Sequence, residues 1–307
     1  MNRHFSFIKW QIKDLEKNTR LHQRNLNKLN MPTDFEVNSL ISNAIKSREP
    51  FCILRPGKSE YSLVMQWDER KLFGIKKYLS NSMYKALDYN EMLLRRWVNQ
   101  FKEDIQIADF FSCVGRKTIE EGYLVDNYVE QAIMVLGNQV ETFGCMENSW
   151  LRELEGRKVL VVSPFTETMK QQYDRKDLIW KDLNLMPDMD MRYLKSVWYI
   201  DQVDNDGFND WFDALDYLLK EMREIDYDIA LIGCGPFSIF LAADAKRKGK
   251  QAIQFGGALQ LLFGIRGKRW DNDDRIKKYY NQYWVRPGDD NSPKEKNSID
   301  LDRGDYW

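Results

Sequence analysis

Four stretches of the chain carry residue types that could do chemistry on a phosphorylated ligand. Ile229–Ile232 is a short apolar run followed at once by Gly233 and Gly235, with Pro236 suited to a first helical turn. Gln251–Phe255 is a second such run and ends in Gly256 and Gly257. Arg266, Lys268 and Arg269 follow soon after, beside Trp270. A third apolar run, Phe51–Leu54, leads into Arg55-Pro56-Gly57-Lys58-Ser59-Glu60-Tyr61. Glycine turns at the carboxyl ends of neighbouring parallel strands are where open α/β sheets bind ligands. Bare backbone N–H groups and helix N-termini there suit phosphate. The turns therefore point to a phosphorylated or nucleotide ligand, with Lys268 or Arg269 placed to clamp phosphate.

Composition narrows the chemistry further. The chain of 307 residues has only two histidines, His4 and His22, and both lie outside these turns. A His-based triad or a His-rich zinc site is not expected, which leaves carboxylates, Arg, Lys, Tyr and backbone dipoles. Lys+Arg of 46 against Asp+Glu of 47 gives a net charge of -1, so bulk charge makes no case for nucleic acid as a partner. Hydrophobic content of 43% with 30% charged residues is that of an ordinary globular protein. The four cysteines, Cys52, Cys113, Cys145 and Cys234, form no CxxC pair and read as buried thiols in a reducing compartment. No apolar run spans a bilayer and no signal-peptide core opens the sequence, so a cytoplasmic location is expected.

Alternating elements must position these turns. Residues 1–48 read as a helical N-terminal arm. Its first 30 residues are basic, with Phe5, Ile8, Ile12 and Leu15 at helical spacing. That part either lies on an anionic membrane surface or packs on the domain or a partner subunit. Thr33 or Asp34 can cap a second helix to about Arg48. The α/β domain is expected over 49–287, followed by a polar tail, 288–307, with a docked aromatic end. Within the domain, Ile107–Cys113 reads as a strand containing Asp109, and 121–148 as helix then strand. From residue 156 the alternation is regular: strand Lys158–Ser163, helix Glu167–Trp180, strand Tyr193–Ile200, amphipathic helix Asp210–Ile225, then the two glycine-ended strands. Thr166 can cap the helix after Ser163, with Glu167 at its positive end. Strands alternating with helices imply right-handed crossovers and a mostly parallel, Rossmann-like α/β sheet flanked by helices.

The turn at Gly233–Ser238 does not make a dinucleotide fingerprint. Ser238 stands in place of the third glycine, and no carboxylate ends the next strand. A methyltransferase would place its glycine loop near the start of the domain, not late in the strand order.

Residues 55–61, 159–173, 228–237 and 256–270 together resemble bacterial glycosyltransferases of the GT-D fold, more closely the GT-D-like proteins associated with capsule and exopolysaccharide synthesis. The resemblance implies a nucleotide-sugar donor, UDP-linked, and a saccharide acceptor. It also implies a pattern of Arg, Gly, Asp and Glu at the first strand end, in which the two carboxylates serve the donor and its Mn²⁺ or Mg²⁺. This chain keeps Arg55, Gly57 and Glu60, but Lys58 stands where the Asp would be. A lysine cannot ligate such a metal, though its ammonium could stand in for part of the charge. Glu60 is the expected catalytic carboxylate, as base or as ligand and orienter, or else only a helix N-terminal residue. Arg55, Gly57, Lys58, Gly233, Gly235, Gly256, Gly257, Lys268 and Arg269 are expected at the donor, with Glu167, Gln172 and Gln260 as further contacts. A non-catalytic nucleotide- or sugar-binding protein of the same fold is the alternative.

Overall fold

The computed structural model describes residues 31–69, 87, 90–113, 118–143, 146–199, 206–288 and 306. The basic stretch 1–30, with its expected membrane or partner contact, lies outside them, as does Cys145. Among the described residues no helix is long and apolar enough to cross a membrane.

Seven strands form one sheet: β1 (Phe51–Leu54), β2 (Phe110–Cys113), β3 (Ile133–Leu136), β4 (Lys158–Ser163), β5 (Asp190–Lys195), β6 (Ile229–Ile232) and β7 (Gln251–Gln254). Their order is β3-β2-β1-β7-β6-β4-β5, and every pairing is parallel. The helices around the sheet include α1 (Asp34–Ser47), α2 (Lys58–Asp68), α3 (Glu91–Ile105), α4 (Ile119–Tyr128), α5 (Gly137–Val140), α6 (Thr166–Tyr173), α7 (Lys176–Trp180), α8 (Trp211–Glu224), α9 (Ser238–Arg247) and α10 (Leu259–Leu262).

The continuous apolar runs of the central strands follow from burial on both faces. Cys52, Leu54, Leu160, Val162, Ala230, Ile232 and Ala252 point into one core. Their alternates Phe51, Ile53, Val159, Val161, Ile229, Leu231 and Ile253 point into the other. The first core is covered by α2, α3, α4, α8 and α9, through Tyr61, Trp97, Phe101, Leu124, Trp211 and Phe240 among others. Trp97 stacks on Phe101 at 4.8 Å, and Trp211 on Phe237 at 4.9 Å. The second is covered by α1, α6, α7, α10 and a 3₁₀ turn at Trp150–Leu154.

Local signals set several helix starts. Thr33 makes a capping box with Glu36, so α1 buries Val37, Ile41 and Ile45 at four-residue spacing. Asp210 accepts from the N–H groups of Phe212 and Asp213 and starts α8. Four expectations need correction. Asp109 precedes β2 rather than lying in it, because its carboxylate accepts from the Cys52 N–H. The strand expected at Tyr193–Ile200 is β5, three residues earlier, in register with β4 from Lys158↔Asp190 to Ser163↔Lys195. The single helix expected over Glu167–Trp180 is two, α6 and α7. The Tyr173 hydroxyl, which accepts from Met189 N–H, pins the end of α6, and Trp180 Nε1 donates to Leu262 O from α7. Thr166 is the first residue of α6 and not its cap. Beyond Trp270 the chain still contributes to the second core. Ile276 and Trp284 are buried, and Trp284 meets Trp180 edge to face at 5.3 Å.

Candidate functional site at the carboxyl ends of the central strands

The strand order sets the ends of β1, β7, β6 and β4 side by side. From β1 the chain passes to α2 over the first core, and from β7 to α10 over the second. The same divergence separates β6, which leads to α9, from β4, which leads to α6. Diverging connections open a crevice above the strand ends, and open α/β sheets bind ligands there.

The helices leaving these four strands differ from their neighbours in how they start. α2, α6, α9 and α10 begin with no side-chain cap, as does the one-turn α5 after the edge strand β3. The helices that follow β2 and β5 are capped, α4 by Thr118 and α8 by Asp210. Two of the turns leading out of these strands carry glycine in the left-handed region, Gly235 at φ 58° and Gly256 at φ 67°. Gly233 is needed for close approach, because a Cβ there would stand 2.6 Å from Gly256 O and 3.0 Å from Leu259 Cβ. The two glycine turns are therefore locked together.

Arg55 ties the crevice together. Its backbone N–H donates to Gln254 Oε1 at 2.6 Å, and its Nη1 donates to Phe255 O at 2.8 Å. Its Nη2 pairs with Glu141, just past α5, and the guanidinium lies on the backbone of Gly137. The Glu60 carboxylate folds back over Gly57, where a Cβ would meet its Oε2 at 2.8 Å. Lys58 is exposed at the first position of α2. Tyr61, fully buried, donates its hydroxyl to Ser112 O at 3.1 Å. Burial pushes the Cys234 thiol up to about 12, so it stays protonated and is no nucleophile at neutral pH. Burial and the neighbouring Glu121 raise Cys113 as well.

The structure thus gathers Arg55, Gly57, Lys58, Glu60, Gly233, Gly235, Gly256 and Gly257 at one end of the sheet. Gln260 and Arg269 join them through Tyr306: Gln260 Nε2 donates to its carbonyl at 3.2 Å and Arg269 Nη1 to its hydroxyl at 2.8 Å. Lys268, next to Arg269, is exposed. Glu167, in the first turn of α6, is exposed and pairs with Lys170 at 2.8 Å. Gln172 stands apart. It is buried in the second core, and its amide donates to the carbonyls of Phe263, Gly264 and Tyr283. Two carboxylates escaped notice in the sequence, Glu141 and the buried Glu121. Thr118 and Glu121 stand at capping-box spacing, a signal that could have found the second. Only the tertiary fold brings Glu141 to Arg55.

The residues present do not fit a divalent metal. Lys58 occupies the position of the expected carboxylate. Among the described residues no three His, Cys, Asp or Glu side chains are grouped so as to hold an ion.

A wholly parallel sheet flanked by helices, with glycine turns at its central strand ends, defines a Rossmann-like α/β protein. Residues 33–262, well over half of the chain, match the family described as GT-D-like, a GT-D fold-like domain, and the chain belongs to that family. Two solved structures are similar over 83% of this chain and 100% of their own. One is a selenomethionine-substituted domain of unknown function 1792, at 15% identity and a TM-score of 0.45. The other is described as showing that this domain has a distinct glycosyltransferase fold, at 14% identity and a TM-score of 0.38. No curated protein matches the chain. The family match, not these two likenesses, carries the assignment.

Proposed function

We propose that this chain is a glycosyltransferase that moves a sugar from a UDP-linked donor to a surface-polysaccharide acceptor. One observation carries the reading: four adjacent strand ends lead into helices without side-chain caps, in a chain of the GT-D-like family. The starts of α2 and α6, and the 3₁₀ turns Gly235–Phe237 and Gly256–Ala258 that run into α9 and α10, present N–H donors and positive dipole ends for a diphosphate. In the transfer, the bond from the sugar's anomeric carbon to the diphosphate oxygen breaks and a bond to the acceptor oxygen forms. Glu60 takes the acceptor's proton. The charge developing on the diphosphate meets the turn N–H groups, the Lys58 ammonium and Lys268 or Arg269, and such preorganised stabilisation is the largest contribution a site of this kind offers. The buried thiols Cys52, Cys113 and Cys234 fit a cytoplasmic setting.

The test is a thermal-shift panel of nucleotide-sugars, each with and without Mn²⁺, followed by measurement of released nucleotide. A UDP-sugar should raise the melting temperature and yield UDP. Glu60→Gln should slow release by about 100-fold or more with little loss of stability, the usual contribution of a general base. Unchanged activity removes Glu60 from its role. A second reading, a non-catalytic sugar-nucleotide-binding protein, is favoured by Lys58 in place of a metal-binding carboxylate. Tight binding without release in any condition selects it. Stabilisation by S-adenosylmethionine and by no nucleotide-sugar selects a methyltransferase-like enzyme.

A further inference from the structure

Tyr306 sits on the Gly256–Gly257 turn in a seat with three walls and a floor. The floor is Gly257, where a Cβ would stand only 2.5 Å from Tyr306 Cε1. Trp270 meets the tyrosine ring edge to face, with centroids 6.0 Å apart. The Arg269 guanidinium lies 5.1 Å from the centroid of each ring and donates Nη1 to the tyrosine hydroxyl at 2.8 Å. Gln260, 2% exposed, donates its amide to the Tyr306 carbonyl at 3.2 Å and to the Ile265 carbonyl at 3.3 Å. Its Oε1 is buried and has no hydrogen-bond partner among the described residues. An orphaned buried acceptor is costly and asks for a donor.

The seat therefore selects a flat ring over Gly257 and beside Trp270, an acceptor for the Gln260 amide, and an anion for Arg269. A nucleobase joined to phosphate meets all of these, and Tyr306 supplies the ring and the acceptor but offers Arg269 a neutral phenol in place of an anion. We propose that Tyr306 is a tethered competitor of the donor, occupying the seat of the nucleobase of a nucleoside diphosphate over Gly257 and between Trp270 and Arg269. This rests on the transferase reading above. Arginine bonds a neutral phenol more weakly than a phosphate, because the phosphate bond is charge-assisted. A tethered ring nonetheless competes well, since its effective concentration is high. Bound donor puts its base where the tyrosine ring was, and the displaced phenol gives up Arg269 to the phosphates. The tyrosine thus keeps the seat covered until a nucleotide of sufficient affinity arrives.

The test titrates the full chain with UDP, GDP, CDP and ADP by calorimetry, as wild type, Tyr306→Phe and Tyr306→Ala. A ring docked nine-tenths of the time weakens nucleotide binding about tenfold, because apparent affinity scales with the open fraction. Tyr306→Ala should therefore bind the preferred nucleotide about tenfold tighter. Tyr306→Phe, which keeps the ring and loses the Arg269 contact, should fall between. In the Tyr306→Ala background, Arg269→Ala should weaken binding. If wild type binds a nucleotide and Tyr306→Ala binds it equally or more weakly, the competitor proposal is overturned and the transferase reading stands. If no variant binds any nucleotide, both fall.

Discussion

Arg55 looks from its neighbours like a cation waiting for phosphate, and the fold gives it other partners. Its fork holds Phe255 O and Glu141 and its backbone holds Gln254, so it joins the ends of β1 and β7 to the segment after α5. Any diphosphate it meets must share it with these groups. Asp104, on α3, shows the opposite balance at the far side of a core. It pairs with Arg247 at 2.5 Å, yet burial outweighs that pair and pushes its carboxyl up to about 6. The folded state then holds the proton more tightly than the unfolded chain. Stability from this group is greatest below about pH 4 and falls as pH rises to about 6, by about 2 to 3 kcal/mol for a two-unit shift. Asp104→Asn should flatten that slope, read as the difference in urea midpoint between the two proteins from pH 4 to pH 7. A parallel slope in both proteins would show that Asp104 is not the group responsible.

At the scale of elements, the two glycine turns work as one unit. Gly233 lies on Gly256 O with no room for a methyl group, so the start of α10 is positioned by the turn after β6. Gly233→Ala must push backbone against backbone and should cost about 1 to 3 kcal/mol or more, as overpacking does. Its reach should extend to ligand affinity, because the displaced turn is the floor of the crevice. Urea unfolding and nucleotide titration of the same variant check both parts. A variant as stable as wild type would mean that the turns are not in contact. The element boundaries show where local pattern suffices and where it does not. Thr33 and Asp210 announce their helices through side chains that bond the first N–H groups, and both starts were readable. The break between α6 and α7 has no Gly or Pro to mark it and depends on Tyr173 and Trp180 finding partners elsewhere. β5 is an edge strand with a half-exposed face, so its register comes from pairing with β4 and not from its own residues.

For the whole molecule, both cores share the same strands. Residues on opposite faces of β4 and β6 alternate between the cores, so neither core can open without the sheet. Leu160→Ala in the first core and Leu231→Ala in the second should each cost about 2 to 5 kcal/mol. Each should shift one common urea transition, with far-ultraviolet circular dichroism and tryptophan fluorescence coinciding. Two separated transitions would show that the cores unfold independently.

The sequence by itself determined a parallel α/β protein with glycine turns ending its strands. Strands buried on both faces must be apolar throughout, and tight turns at strand ends need residues without a Cβ; both demands are local and visible in the residues. Only the tertiary structure decided which turns became neighbours. β1 lies beside β7, and Arg55 reaches Gln254 across 199 positions of chain. Nothing local encodes such a pairing, because it rests on how seven strands share two cores. The same holds for the seat of Tyr306. Gly257, Gln260, Arg269 and Trp270 read separately as a turn, a helix polar residue, a surface charge and an aromatic. Packing brought them together around the Tyr306 ring.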